Sequence, residues 1–271
     1  AMRRACRRAV SLLGSGRYSS PPVAAKTGNA CRMITVKPAH LARLRKIRDA
    51  FPDTPKIPEK DSWRRASADR VWIRIVSQVV VVGRAAPAND LAKRDIQRRI
   101  SWARLCKSPD TDARRAVWEV LREIKTRFAA KRIDSCRKTS AIMSNREFLL
   151  SFPGGPKGFL KTVATLPGGD QARIDYVKQR LTYIKEKGAR DFLTSGFGIL
   201  RNSVALDVRV RKALSHVGIH IPQQFNNSCG TYADIESEIV EKICLPLRIA
   251  GGDLDQLLFR NYKEIMKCTW R

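Results

Sequence analysis

Apolar residues in this chain recur at the spacing of helices, and no alternating strand pair joined by a tight turn appears. In SADRVWIRIVSQVVVVG the apolar stretch runs from Val71 through Val82, with Ser67 as an N-cap and Gly83 as a stop. The β-branched run Val79 to Val82 can by itself be a strand, but the length of the whole stretch favours a buried helix. AHLARLRKIRDAF places Leu41, Leu44, Ile47 and Phe51 on one face of an amphipathic helix. Further helical patterns follow at 89–106, 111–130 and 144–151. The second is expected to be capped by Thr111 and to turn Ala116, Val117, Val120, Leu121 and Ile124 inward. ARIDYVKQRLTYIKEK carries Ile174, Val177, Leu181 and Ile184 on one face, with Lys185 and Lys187 at its end and Gly188 as its breaker. ARDFLTSG then makes a second short helix, and VRVRKALSHVG a third, closed by Gly218 at C′. The expected fold class is all-α.

The loop SFPGGPKGF, residues 151–159, is the best internal break. It divides the chain into a basic N-terminal extension (1–38), a first helical lobe (39–150) and a second lobe (151–271), the two lobes forming one compact unit. Residues 1–48 hold twelve Lys and Arg and no acid. That composition suits an organelle transit peptide, a basic arm on DNA or a poorly ordered extension, and the arm or extension is favoured.

The whole chain carries 53 Lys and Arg against 25 Asp and Glu, a formal charge of +28, which disfavours compaction unless something anionic offsets it. Nucleic acid is the leading partner, because neutralising phosphates releases counterions. A membrane is not, since no apolar run reaches the roughly 18 residues a spanning helix needs. The seven cysteines (6, 31, 106, 136, 229, 244 and 268) are scattered, with no CxxC pair, and read as reduced thiols of an intracellular protein; the basic N-terminus leaves organelle import open. Their separation excludes a closely spaced four-cysteine iron–sulfur cluster, and His40, His216 and His220 do not cluster, so no metal is expected.

Against this background Asp207 stands alone among aliphatic neighbours, in the N-cap position of the helix that follows it. A carboxylate there is kept ionised by the helix dipole and the unpaired N–H groups. The segment that holds it resembles the core of the helix-hairpin-helix DNA glycosylase superfamily, and within it the archaeal-type 8-oxoguanine DNA glycosylase/lyases. In that family a lysine followed by x-Ala leads, about nineteen residues on, to an aspartate preceded by aliphatics and followed by Val or a basic residue. This chain has Lys187-Gly188-Ala189 and then Ala205-Leu206-Asp207-Val208-Arg209. YADIESEIVEKI followed by GGDLDQLLF resembles the closing helices of the archaeal-type members, and VWIRIVSQVVVVG with PANDLAKR is similar to the opening core helix. LPGGDQA (166–172) is a poor match to the family's hairpin, with Asp170 in place of its second glycine and Ala172 in place of its lysine. The hairpin position before Lys187 reads Tyr183-Ile184-Lys185 where the family has Gly-hydrophobic-Gly.

The resemblance implies two helical lobes, a helix-hairpin-helix element in the second, and a DNA-binding cleft between them. It implies Asp207 as the carboxylate opposite the positive charge that develops on the sugar, and Lys187 as the amine nucleophile, with Lys185 as the alternative. Arg190, Arg201 and Arg209 are expected to hold DNA, and Trp72, Phe259 and Tyr262 to line the pocket for a flipped base. The expected partner is double-stranded DNA containing a damaged or modified base, bound by a monomer, and the resemblance implies that the chemistry needs no cofactor. Three readings stay open: a glycosylase/lyase for an oxidised purine, 8-oxoguanine first; the same chemistry on another modified base, such as a hypermodified cytosine in phage DNA; and a non-catalytic basic DNA-binding protein.

Overall fold

The computed structural model describes residues 34–222 and 231–270; the basic segment before Ile34, with Cys6 and Cys31, lies outside them, as do Cys229 and Arg271. Among the described residues all regular structure is helical. Helix α1 (Pro38–Ala50) buries His40, Leu44 and Ile47. Helix α2 (Ala68–Val80) starts where Ser67 Oγ accepts the Arg70 N–H, and Gly83 lies just beyond its end at φ 84°. In the Val79–Val82 run, Val79 and Val80 therefore end the helix and Val81 and Val82 form the turn after it, and none of it is a strand. Val71, Trp72, Ile75, Val76, Val79 and Val80 are completely buried. At about 1.5–3 kcal/mol for each large apolar side chain, that face outweighs the weak helix propensity of β-branched residues.

The pattern at 89–106 resolves into three short helices, α3 (Pro87–Leu91), α4 (Arg94–Arg99) and α5 (Trp102–Leu105). Lys93 and Ser101 are extended, and Ser101 Oγ accepts the Arg104 N–H, so a capping side chain competes with continuation of the helix. Helix α6 (Asp110–Glu123) begins after Pro109 with Asp110 and Asp112 in its first turn; Thr111 lies inside that turn and is not the cap. It stops short of 130 because Lys125 and Phe128 take left-handed conformations. Helix α7 (Arg137–Ser151) starts well before 144, on a turn whose buried residues are polar: Lys138 Nζ donates to the Val80 and Val82 carbonyls and so caps α2.

The glycine-rich stretch 151–159 is mostly helix. Only a turn at Phe152–Gly154 interrupts the chain before α8 (Gly155–Thr165), which has Pro156 in its first turn. Helix α9 (Gly169–Arg180) ends at Arg180, so the helix expected to run on to Lys187 does not. Residues 181–185 form a tight hairpin with Tyr183 at φ 72°, and α10 (Glu186–Leu193) begins after it. Asn145 of α7 holds this hairpin, donating to the Thr182 carbonyl (3.1 Å) and accepting the Thr182 N–H (2.7 Å). Gly188 sits inside α10 rather than breaking a helix. A Cβ there would come within 3.3 Å of Ile184 Cγ2 and 3.5 Å of Gln78 Oε1, so the glycine lets α2 approach.

Beyond Asp207 come α11 (Val208–His216), with Gly218 at C′ at φ 98°, then α12 (Tyr232–Ile239), a π-helical turn (Val240–Cys244), α13 (Leu245–Leu247), α14 (Gly251–Arg260) and α15 (Tyr262–Ile265). The interior forms two clusters that do not follow the 151–159 loop. One collects α2 through α10, from Ala66 to Leu200; the other joins Ile34 and α1 to Val204 and α11–α15.

Candidate active site

Asp207 is presented by a short extended segment that the second core holds firmly. Val204 and Leu206 are buried there. Tyr232 Oη donates to the Val204 carbonyl (2.8 Å) and accepts the Leu206 N–H (2.6 Å). Glu236, one turn along α12, accepts Ser203 Oγ (2.6 Å) and the Val204 N–H (2.7 Å). At the end of this clamp Asp207 caps α11: its Oδ1 accepts the N–H groups of Arg209 (2.8 Å) and Val210 (2.9 Å), while Oδ2 accepts no hydrogen bond from a described residue.

Lys187 is the second residue of α10, directly after the hairpin, and is half-buried. It and Asp207 line one cavity of about 940 Å³, within the range of small-molecule and nucleobase sites. The walls come from α2 (Arg74, Ser77), α10 (Lys187, Asp191), the start of α11 and α14 (Asp255, Phe259), so the cavity lies between the two cores.

Acidic groups make its depth. Asp191 accepts a hydrogen bond from Gln78 (2.8 Å) and pairs with Arg74 (3.0 Å). Burial alone would raise its carboxyl, but Arg74, Lys187 and the bonds from Gln78 and Ser195 outweigh it and hold the group below its ordinary value. Asp255 is 5 % exposed, and burial, reinforced by the charges of Asp191 and Asp207, pushes it well above the usual carboxylate range. Cations make its mouth: Lys56, Arg84, Arg209 and Arg260 are exposed, line the same cavity, and form no ion pair with a described carboxylate. Arg209 lies over the ring of Phe259, 4.8 Å from its centroid.

Of the residues expected at the site, then, Lys187, Asp207, Arg209 and Phe259 share the cavity. Lys185 is exposed at the start of α10 and does not line it. Two assignments are corrected. Trp72 is completely buried, its Nε1 donating to the Ile100 carbonyl at 2.7 Å, and no base can reach it. Arg190 is also completely buried, paired with Glu186 and Glu236 and stacked 4.0 Å from the Tyr232 ring centre, so it holds the scaffold and not DNA. Arg201 donates to the Pro58 carbonyl (3.4 Å) and steadies the segment carrying Lys56, and Tyr262 packs on the second core. Asp191, Asp255 and Arg74 were not singled out by the sequence. Asp191 stands four residues after Lys187, one helical turn, and that spacing is the signal available for it. Among the described residues no group of three His, Cys, Asp or Glu is arranged to hold a metal ion, and no helix is long and apolar enough to cross a membrane.

No protein-family model matches the chain, and no curated protein matches it significantly. Solved structures do. The 8-oxoguanine glycosylase/lyase of Methanocaldococcus jannaschii in complex with a 15-mer DNA containing 8-oxoguanine superposes with a TM-score of 0.59 at 16% identity, covering 84% of this chain and 99% of that one. A second structure of the M. jannaschii 8-oxoguanine DNA glycosylase gives 0.58 at 16% identity over 81% and 91%. The 8-oxoguanine DNA glycosylase of Thermotoga maritima gives 0.57 at 19% identity, over 81% and 93%. The chain shares their fold.

Proposed function

We propose that this protein is a DNA glycosylase with lyase activity, which removes a damaged or modified base, 8-oxoguanine in the first place, from duplex DNA. The observation that carries the reading is the cavity itself: one lysine and one capping carboxylate, supplied by different cores, face a common space with acidic groups in its depth and unpaired cations at its mouth. A protein that only bound DNA would need the cations and not the rest.

Exposed Lys56, Arg84, Arg209 and Arg260 are suited to phosphates, and the Arg209–Phe259 pair offers a face on which an extruded base can stack. The Lys187 amine attacks C1′ through its lone pair, forming an N–C bond as the base departs with the electrons of the glycosidic bond and takes up the proton that the amine loses. Asp207, whose Oδ2 accepts no hydrogen bond from a described residue, lowers the energy of the positive charge that develops on the sugar. Ring opening gives a Schiff base, and loss of a C2′ proton then expels the 3′ phosphate by β-elimination. One chain supplies both groups, so a monomer suffices. No cofactor is required for these steps.

Borohydride trapping on labelled duplexes tests this. The duplexes carry in turn 8-oxoguanine, uracil, an abasic site, and hydroxymethylated or glucosylated cytosine, with Lys187→Gln as control. An adduct on 8-oxoguanine that the control lacks is the expected result. An adduct on another base only would transfer the same chemistry to that substrate, and no adduct or alkali-labile site on any duplex would reduce the protein to a DNA-binding module.

A further inference from the structure

We infer that Lys138 is the positioning residue of the turn that follows α2: from beneath, it fixes the place from which Arg84 reaches the mouth of the cavity. The inference rests on the reading of Arg84 as a phosphate contact. Lys138 lies in the first turn of α7 and is completely buried, and it pairs with no described carboxylate. Its Nζ donates instead to the carbonyls of Val80, the last residue of α2, and of Val82 beyond it, each at 2.8 Å. Burial pushes its ammonium down to about 8, so the fold carries this cation at a cost.

The rest of the turn is gripped in the same way. The Val81 carbonyl accepts the Arg84 N–H at 3.1 Å, and the Gly83 carbonyl accepts a hydrogen bond from Arg127 Nη1 at 3.1 Å. Every carbonyl from Val80 to Gly83 therefore has a donor, and Lys138 and Arg127 reach theirs from the same side, the connection between α6 and α7 and the first turn of α7. Gly83 takes φ 84°, and a Cβ on it would lie 2.9 Å from both Arg127 Cδ and Phe128 Cε2, so turn and connection are in close contact. The other side of the turn faces the cavity. Val81, Gly83, Arg84, Ala85 and Ala86 line it, and Arg84 is exposed and forms no ion pair with a described carboxylate. Backbone held on one side and a cation presented on the other keep a binding group in place before its ligand arrives. A lysine that served only to end α2 makes a different prediction, because its loss would lower folding stability and leave the number of phosphate contacts unchanged.

Affinity for an undamaged duplex, measured by fluorescence anisotropy over a salt series, tests this without calling on the chemistry. The unmodified chain is compared with Arg84→Ala, Lys138→Met and the double variant; methionine keeps an unbranched side chain and removes the donor. Arg84→Ala is expected to lower the slope of log K against log salt by about 0.9. Lys138→Met is expected to lower it by about half of that or more, and to change nothing further once Arg84 is gone. A slope that Lys138→Met leaves in place, or a loss of the same size with and without Arg84, would overturn the inference. If Lys138→Met does not fold, judged by circular dichroism, Gly83→Ala takes its place, since its Cβ forces the same turn away from Arg127 and Phe128 at constant charge; the same two outcomes then count against the inference. An unchanged slope in Arg84→Ala itself would remove the phosphate reading of the cavity mouth and this inference together, whereas a normal Arg84 effect with no effect at Lys138 removes the inference alone.

Discussion

At the scale of single residues, Asp207 has one observed role and one proposed role, and the two can be separated. Its Oδ1 caps α11, whereas the proposed reaction needs only that the carboxylate be charged. Asparagine caps a helix as well as aspartate does. Asp207→Asn should therefore change folding stability by no more than a few tenths of a kcal/mol while slowing base excision by about a hundredfold or more. Asp207→Ala should lose about 1 kcal/mol of stability in addition. Urea midpoints and single-turnover excision measured on the same preparations would expose the difference, and normal excision by the Asn variant would remove Asp207 from the chemistry. Asp255 makes the opposite kind of prediction. Its folded carboxyl titrates far above its unfolded value, so the folded state binds the extra proton and stability falls as pH rises above about 4, the ordinary carboxylate range. Asp255→Asn removes that component. Its urea midpoint, compared with that of the unmodified chain, should gain as pH rises above the ordinary carboxylate range, and a constant difference would mean that Asp255 is ionised. Asp207 was legible in the sequence because an N-cap has a local signature. Asp255 was not: within GGDLDQLLF nothing local tells which acid faces a cavity made by docking two cores. Trp72 failed for the same reason, its fate being decided by what packs on α2.

At the scale of elements, the two groups of the site are held in register by a buried connection between helices. Arg190, three residues beyond Lys187 on α10, bonds Glu236 on α12 at 3.0–3.1 Å, and Glu236 with Tyr232 grips the 203–206 segment that delivers Asp207. Arg190 keeps Glu186 when Glu236 is removed, but Ser203 Oγ and the Val204 N–H lose their acceptor, so Glu236→Ala should cost about 1–3 kcal/mol. Tyr232→Phe leaves the Val204 carbonyl and the Leu206 N–H short of a partner and should cost about 1–3 kcal/mol. Both variants should lower excision more than they lower affinity for undamaged duplex, because the cations at the cavity mouth are untouched; an equal loss of both would show that the clamp serves stability alone. Helix α2 could be read directly from its cap, its stop and its apolar length. The hairpin before Lys187 could not, because Leu181 and Ile184 continue the apolar period of α9 across a turn in which Tyr183, a residue that rarely takes a left-handed conformation, supplies the reversal. Gly188 was read as a helix stop, whereas its role is to make room for α2.

At the scale of the whole molecule, the excess of 53 cationic over 25 acidic side chains foretells an anionic partner but not where it lies. Unpaired cations are spread over much of the described surface, so placement follows from which of them line the cavity. Arg99 bonds Glu123 and lies near Glu119, and Arg173 pairs with Asp170, so their charges are largely spent within the fold. Lys56, Arg84, Arg209 and Arg260 are unpaired among the described residues and gather at one cavity mouth, contributed by segments from position 56 to position 260 that no local reading could bring together. Each phosphate contact contributes about 0.9 to the slope of log K against log salt. Replacing Arg84 and Arg260 together by Ala should accordingly lower that slope by about 1.8 and weaken all duplexes alike, lesion or no lesion. Arg99→Ala, which removes one unit of charge from a pair elsewhere, should leave the slope nearly unchanged. Fluorescence anisotropy over a salt series measures both. If the Arg99 variant lost as much per charge as the double variant, DNA would be held by the summed field of the molecule rather than at the mouth of the cavity, and the cavity would lose its claim to the substrate strand.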